Sequence, residues 1–223
     1  MKIIATIHND FTAKFGIPRQ SGLVPEVESL IVFEPEYRNA DALRGLSDFS
    51  HLWLIWHFHL AERETWSPTV RPPVLGGNTR VGVFATRSPF RPNPIGLSCV
   101  RLIAVEQTEE YGPVIRVAGA DLMNGTPLYD IKPYIPYADC HPDATGGFTQ
   151  TASKRTVEVD LPESVSVLIP PEKMPALLGI LRQDPRPAYH DDPDRIYGLS
   201  FAGFNLHFRV ENGLLTVLDA EQA

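Results

Sequence analysis

The 223-residue chain is short of cysteine: Cys99 and Cys140 alone provide neither a disulfide framework nor a Cys-x-x-Cys pair. Long apolar runs are also missing, so no transmembrane helix is expected. The opening MKIIATIHND loses its short apolar run at His8, Asn9 and Asp10, too early for a secretory signal, and reads as a first strand. A soluble, cytoplasmic protein with reduced thiols is the expectation. Basic charge is scarce, with 20 Lys and Arg against 27 Asp and Glu, so any nucleic-acid contact must be local. Neither G-x-x-x-x-G-K-S/T nor G-x-G-x-x-G occurs, which leaves P-loop and dinucleotide readings unsupported.

What is present points to a mainly β fold. Apolar residues make up 43% and charged residues 21%, enough core and too little charge for a disordered chain. With 16 Gly and 21 Pro, an all-helical bundle is excluded. Short β-type runs fill the first 135 residues or so, at 3–8, 29–34, 51–60, 80–86, 98–106 and 114–120. Their spacing, without alternating helices, predicts an antiparallel barrel or sandwich rather than a Rossmann sheet. Residues 41–46 read as a short helical turn. The polar stretch 138–155 reads as a linker or departing loop. Beyond it, Met174, Leu177, Leu178 and Leu181 share one helix face, with Pro171 in the first turn and Pro185 as the stop. Three strands are expected at 197–201, 205–210 and 214–218, the last two joined by an Asn212-Gly213 turn. The division is therefore a main domain over 1–140, a linker over 141–155 and a small α+β domain over 156–223.

Three features carry chemistry. In the strand His51–Leu60, one face reads Leu52, Leu54, Trp56, Phe58, Leu60 and the other His51, Trp53, Ile55, His57, His59. The second face lines a cleft, an interface or a ligand, or packs at a domain seam. His-x-His also suits a metal, although no acidic or Cys run supplies a third ligand. Next, the 41 residues between Glu64 and Glu106 hold no acid but five arginines: Arg71, Arg80, Arg87, Arg91 and Arg101. They either pair with the acid-rich remainder or meet an anionic partner such as phosphate or a cofactor carboxylate. At the centre lies Thr86–Ser98, TRSPFRPNPIGLS, where alternating prolines stiffen a loop that holds Arg91 and Asn93 ready. Finally, Gly119–Tyr134 reads as a loop with an Asn124-Gly125 turn flanked by Asp121, Thr126, Asp130 and Lys132.

TRSPFRPNPIGLS followed by NGTPLYDIKPY (Asn124–Tyr134) resembles the TsaA-like family of S-adenosylmethionine-dependent tRNA methyltransferases. The likeness extends to Pro18–Leu23, the His51–Leu60 strand, Arg71-Pro72-Pro73 leading to Gly76-Gly77, and Asp184–Tyr189. It implies an antiparallel β-barrel main domain, a homodimer, and S-adenosylmethionine as cofactor. The implied reaction is methylation of the N6 nitrogen of N6-threonylcarbamoyladenosine at position 37 of tRNA. By the same resemblance, Gln20, Ser21, Gly22, His59, Leu60, Arg91, Leu102, Leu122, Met123, Asn124, Gly125 and Thr126 contact the cofactor. Asn124 stands where the family pattern often has Asp, which removes a negative charge.

An activated methyl donor leaves the protein to align the reactants and to manage a proton. Asp130 is assigned as the proton acceptor, with Lys132, Tyr134 and Arg87 positioning the substrate. Trp66, Tyr134 or Tyr189 are expected to stack on bases of the tRNA anticodon loop. Two rivals stand beside this reading: a metal-dependent hydrolase on His51, His57 and His59, and a non-catalytic RNA-binding barrel.

Overall fold

The computed structural model describes residues 1–61, 64–150, 156–187 and 192–223. The fold is mainly β. The first strands are β1 (Ala5–His8), β2 (Glu28–Phe33) and β3 (His51–His57). A small two-stranded sheet follows, β4 (Thr69–Val70) with β5 (Val81–Gly82). The long β6 (Ile95–Thr108), β7 (Gly112–Ala118) and β8 (Pro127–Pro133) come next, then the short helix α1 (Pro136–Asp139). Six strands pair antiparallel in the order β1-β2-β7-β6-β3-β8, and β8 returns to β1, so the ring closes. Closure leaves no unpaired edge within it.

Period-two alternation decides which side chains fill the ring. Ala5 and Ile7 of β1, Leu52, Leu54 and Trp56 of β3, Ile115 and Val117 of β7 and Leu128 of β8 form one buried cluster. The histidine-bearing face of β3 lies outside, where Trp53 donates from Nε1 to Asp139 at 3.1 Å and its ring packs 5.8 Å from that of Tyr134.

A second core belongs to the C-terminal residues. It is framed by β9 (Glu158–Asp160), α2 (Glu163–Ser166), α3 (Met174–Arg182), β10 (Tyr197–Phe201), β11 (Phe204–Glu211) and β12 (Leu214–Gln222). The sheet order is β10-β11-β12-β9, with β9 parallel to β12. Phe11, Val24 and Val27, from the connection between β1 and β2, are buried in this same core. At Gly179 of α3 an added Cβ would lie 2.6 Å from the Val24 side chain, so only glycine lets the helix approach so closely. The segment leading to β2 is thus folded onto the C-terminal unit.

Several sequence expectations change. Residues 119–134 are not one loop, because Pro127–Pro133 form β8, paired with both β3 and β1. The run has little period-two signal, and its pairing is supplied by distant strands. Residues 80–86 are not a strand beyond Gly82: Val83–Ala85 turn as a 3-10 helix, with the Val83 N–H donating to the Pro68 carbonyl at 2.9 Å. The strand β3 stops at His57, so Phe58 and Leu60 leave its apolar face. The helix α3 begins at Met174 with Pro175 in its first turn, so Pro171 lies before it. At Asn212-Gly213 both φ angles are positive, 49° and 81°, the conformation that a tight Asn-Gly hairpin needs.

Candidate active site

The loop 86–94 is braced by its own polar groups. Thr86 Oγ1 donates to the Val83 carbonyl at 2.8 Å and accepts the Ser88 N–H at 3.2 Å. Ser88 Oγ in turn accepts the Phe90 N–H at 3.2 Å. The Arg91 guanidinium donates to the Thr86 carbonyl at 3.0 Å, which spans the loop and fixes where the charge points. Prolines at 89, 92 and 94 restrict the backbone further, so the arginine is held before any ligand arrives.

This loop forms one wall of an open cleft of about 600 Å³, within the range of small-molecule sites. Arg87, Arg91 and Asn93 line it together with Arg19, Gln20, Asp121 and the apolar Trp56, Phe58 and Phe84. Gln20 accepts from Arg87 through its side-chain oxygen at 2.5 Å, which joins two loops across the cleft. None of Arg71, Arg80, Arg87, Arg91 and Arg101 forms an ion pair with a described carboxylate. Among the described residues, then, direct ion pairs do not account for the acid-free segment.

Among the described residues one acid, Asp121, lines the cleft. Asp121 sits in a relay: Trp56 Nε1 donates to Ser98 Oγ at 3.0 Å, and Ser98 donates to Asp121 Oδ1 at 2.5 Å. Burial raises the Asp121 pKa above the ordinary carboxylate value, and the Ser98 hydroxyl, the Asp121 backbone N–H and the nearby Arg87 charge offset only part of that rise. Gly22 and Gly119 make the arrangement possible. Both have positive φ, the Gly22 N–H donates to the Gly119 carbonyl at 2.8 Å, and a Cβ on Gly119 would lie 3.2 Å from the Gly22 Cα.

Of the expected cofactor residues, the structure brings Gln20 and Arg91 to the cleft lining, with Ser21 and Gly22 next to Gln20 in the chain and Gly22 bonded to Gly119. Leu122 and Thr126 are buried, and the Thr126 hydroxyl donates to the Met123 carbonyl at 2.7 Å. Asn124 accepts the Asn9 N–H through Oδ1 at 3.1 Å, a bond that an Asp would also accept. Gly125 carries the positive φ of that turn, 79°. Leu102 packs against the ring core, while Leu60 is exposed and its carbonyl accepts from Lys14 at 3.0 Å. His59, beside it, is half-buried.

The expected catalytic residues divide. Arg87 is in the cleft, but Asp130 pairs with Lys132 at 3.0 Å on β8, opposite Ile55 and Trp53 of β3, outside the cleft lining. Tyr134 packs near His51, and desolvation with the neighbouring Cys140, Cys99 and Asp139 raises its phenol pKa, keeping it a donor. The histidines also separate. His51 contacts Ser50 Oγ at 2.9 Å, and His57 stacks on Tyr129 with ring centroids 5.5 Å apart. Among the described residues no group of three His, Cys, Asp or Glu is placed to hold a metal. Tyr189 lies outside the described residues. Asp121 is what the reading of the sequence passed over as a site residue. It was visible only as a carboxylate flanking a turn, and its partner Ser98 is 23 positions away.

Fold and cleft together define a mainly β protein of non-Rossmann type with an arginine-lined cleft. A model of the tRNA-methyltransferase O N-terminal domain matches residues 6–140, and a model of the TrmO C-terminal domain matches residues 171–223. The tRNA (adenine(37)-N6)-methyltransferase of Escherichia coli K12 is 40% identical over 226 residues, 98% of this chain and 96% of that protein. A putative S-adenosylmethionine-dependent methyltransferase RcsF of Pseudomonas aeruginosa is 38% identical over 232 residues, 97% of this chain and 95% of that one. The crystal structure of TrmO from P. aeruginosa superposes with a TM-score of 0.80 at 33% identity, covering 99% of this chain and 95% of that one. The chain belongs to the tRNA-methyltransferase O family.

Proposed function

We propose that the protein transfers a methyl group from S-adenosylmethionine to the N6 nitrogen of adenosine 37 in tRNA, acting on N6-threonylcarbamoyladenosine. The observation that carries the site assignment is Arg91: a guanidinium fixed in a cleft of about 600 Å³, beside an apolar wall of Trp56 and Phe58, with no described carboxylate as partner. A cofactor that bears a carboxylate and an adenine fits that donor set. Arg91 holds the carboxylate, and Gln20 with the Ser21–Gly22 backbone borders the same ligand. The 122–126 turn, His59, Leu60 and Leu102 complete the surroundings.

S-adenosylmethionine supplies a methyl already activated on a sulfonium, so the protein's work is alignment and proton removal. Asp121 is the carboxylate at the cleft and takes the N6 proton as the new N–C bond forms and the S–C bond breaks. Its raised pKa makes it a stronger base than a solvated acid. Arg87, in the cleft, with Asp130 and Lys132 of β8 and Tyr134 just after it, positions the RNA. In this reading the ring of strands is the barrel implied by the family resemblance. Residues 1–140 carry the cofactor, 141–155 link, and 156–223 add a tRNA contact in a cytoplasmic homodimer.

The test is methyl transfer from radiolabelled S-adenosylmethionine to tRNA with and without threonylcarbamoyladenosine. Label confined to the modified tRNA is expected. Label in neither, with cofactor bound, replaces this reading by a non-catalytic RNA-binding one.

A further inference from the structure

Two large aromatic side chains stand in solvent beside the cleft. Trp66 is 52% exposed and Phe84 is 72% exposed, yet their rings lie 6.1 Å apart with planes 31° from one another. Their placement is built rather than incidental. The Val83 side chain is buried, so the 3-10 turn that follows β5 turns Phe84 outward. The pairing of Thr69 with Gly82, and the Ser67 hydroxyl donating to the Thr69 carbonyl at 2.8 Å, hold the segment after Trp66 against that turn.

The pair also occupies a boundary. Phe84 lines the candidate active-site cleft, and Trp66 lines a second cleft of about 290 Å³ with Phe90. Arg91 and Pro92 line both, so one wall separates two neighbouring compartments. Arg71, Arg80 and Arg87 belong to the same acid-free segment, while among the described residues Glu64 is the acid that lines the second cleft. Exposed aromatic faces among guanidinium groups that pair with no described carboxylate match an unstacked single-stranded nucleic acid, which offers planar bases along a phosphate backbone.

We propose that Trp66 and Phe84 form a second nucleobase subsite, which takes the nucleotide adjacent to the one methylated and stacks it over the wall between the two clefts. This rests on the tRNA reading above and adds how a splayed loop is kept in register. Stacking the neighbour draws the target base out of the loop and into the first cleft. The surface is specific to unpaired RNA, because the two rings are accessible only to a base that has left its own stack.

The experiment uses the full chain with Trp66→Ala, Trp66→Phe and Phe84→Ala, all exposed positions whose replacement leaves the cores intact. Methyl transfer is measured on tRNA that is intact or carries an abasic nucleotide at position 36 or 38. Trp66→Ala is expected to raise KM for tRNA by about 5- to 150-fold, the range of one base–aromatic stack. Affinity for S-adenosylmethionine stays unchanged, and Trp66→Phe recovers most of the deficit. An abasic nucleotide on one side gives the same rise in the parent protein and no further rise in Trp66→Ala. An unchanged KM in Trp66→Ala, or fully additive effects, overturns the subsite. A change in oligomeric state with KM unchanged also overturns it and assigns the pair to a second copy of this chain. If the parent protein methylates no tRNA, the enzyme reading fails by itself. The subsite is then read from quenching of tryptophan emission by an anticodon stem-loop RNA. Quenching that disappears in Trp66→Phe supports the subsite, and its absence in the parent removes it.

Discussion

Gly96→Ala places one methyl group where the structure has no room for it. Gly96 of β6 faces Trp56 of β3, and a Cβ there would lie 2.2, 2.4 and 2.5 Å from the indole Cε2, Cζ2 and Cδ2. Ordinary carbon contact begins near 3.5 Å, so the ring must shift by about 1 Å. The indole cannot move freely: it is buried, its centroid is 4.1 Å from that of Phe58, and its Nε1 is bonded to Ser98. Overpacking of this kind costs about 1–3 kcal/mol, and the Trp56–Ser98 hydrogen bond adds about 0.5–1.5 kcal/mol if it breaks. The reduced freedom of the unfolded chain on replacing glycine returns about 0.4–1 kcal/mol. A net destabilisation of about 0.5–4 kcal/mol, centred near 2 kcal/mol, follows from these ranges, and the centre corresponds to a Tm lower by about 4–8 °C for a domain of this size. Because Ser98 also holds Asp121, turnover should fall more than cofactor affinity. Thermal unfolding with methyl-transfer kinetics checks both, and a Trp56→Leu background tests the cause, since the methyl then has space. A Tm within about 1 °C of the parent would refute the steric argument. So would an equal cost of Gly96→Ala in both backgrounds.

Four further outcomes are expected. Asp121→Asn should lower kcat by about 10²- to 10⁴-fold and abolish the acid limb of the pH–rate profile. The Asp121 pKa is raised in the fold, so its stabilising contribution is complete below the unfolded value and is lost as pH rises through the folded one. The Tm of Asp121→Asn should therefore gain on the parent as pH rises, and a constant difference would count against the buried-carboxylate account. Arg91→Ala should weaken S-adenosylmethionine binding by roughly 10- to 150-fold, the worth of a charged hydrogen bond, as read by calorimetry. Arg186 and Asp184 form a buried bidentate pair at 2.8 and 2.9 Å, so Arg186→Ala should cost about 3–5 kcal/mol, visible as a shifted denaturation midpoint. Replacing Arg71 or Arg80 with Ala should reduce the slope of log tRNA affinity against log salt by about 0.7 for each phosphate no longer neutralised, with cofactor affinity unchanged.

The C-terminal strands, the Asn212-Gly213 turn and α3 were legible because their signals are local: period two, a turn dipeptide and an apolar stripe. Of that stripe Met174, Leu177 and Leu181 pack in the core, while Ala176 and Ile180, not Leu178, complete the buried face. The stiff Thr86–Ser98 loop was legible for the same reason, since alternating prolines restrict the backbone whatever surrounds them. Its likeness to the family is likewise a property of the residues in order, independent of any coordinate. The strand β8 was hidden, because Pro127–Pro133 owes its conformation to β1 and β3, more than 70 positions away in β3 and further in β1.

Composition and local pattern alone determined that this chain is mainly β, that it concentrates arginine in one acid-free segment, and that one loop is held rigid. Only the tertiary structure decided which of those groups meet. Asp121 enters the cleft because Gly22 and Gly119 let two backbones touch, and because Ser98 of β6, the strand paired with β7, donates to it. Asp130, nearer the conspicuous motif, is turned instead toward Lys132. Backbone preference is a short-range property of neighbouring residues, whereas burial, pKa and the lining of a cleft depend on which distant surfaces the closing of the ring brings together.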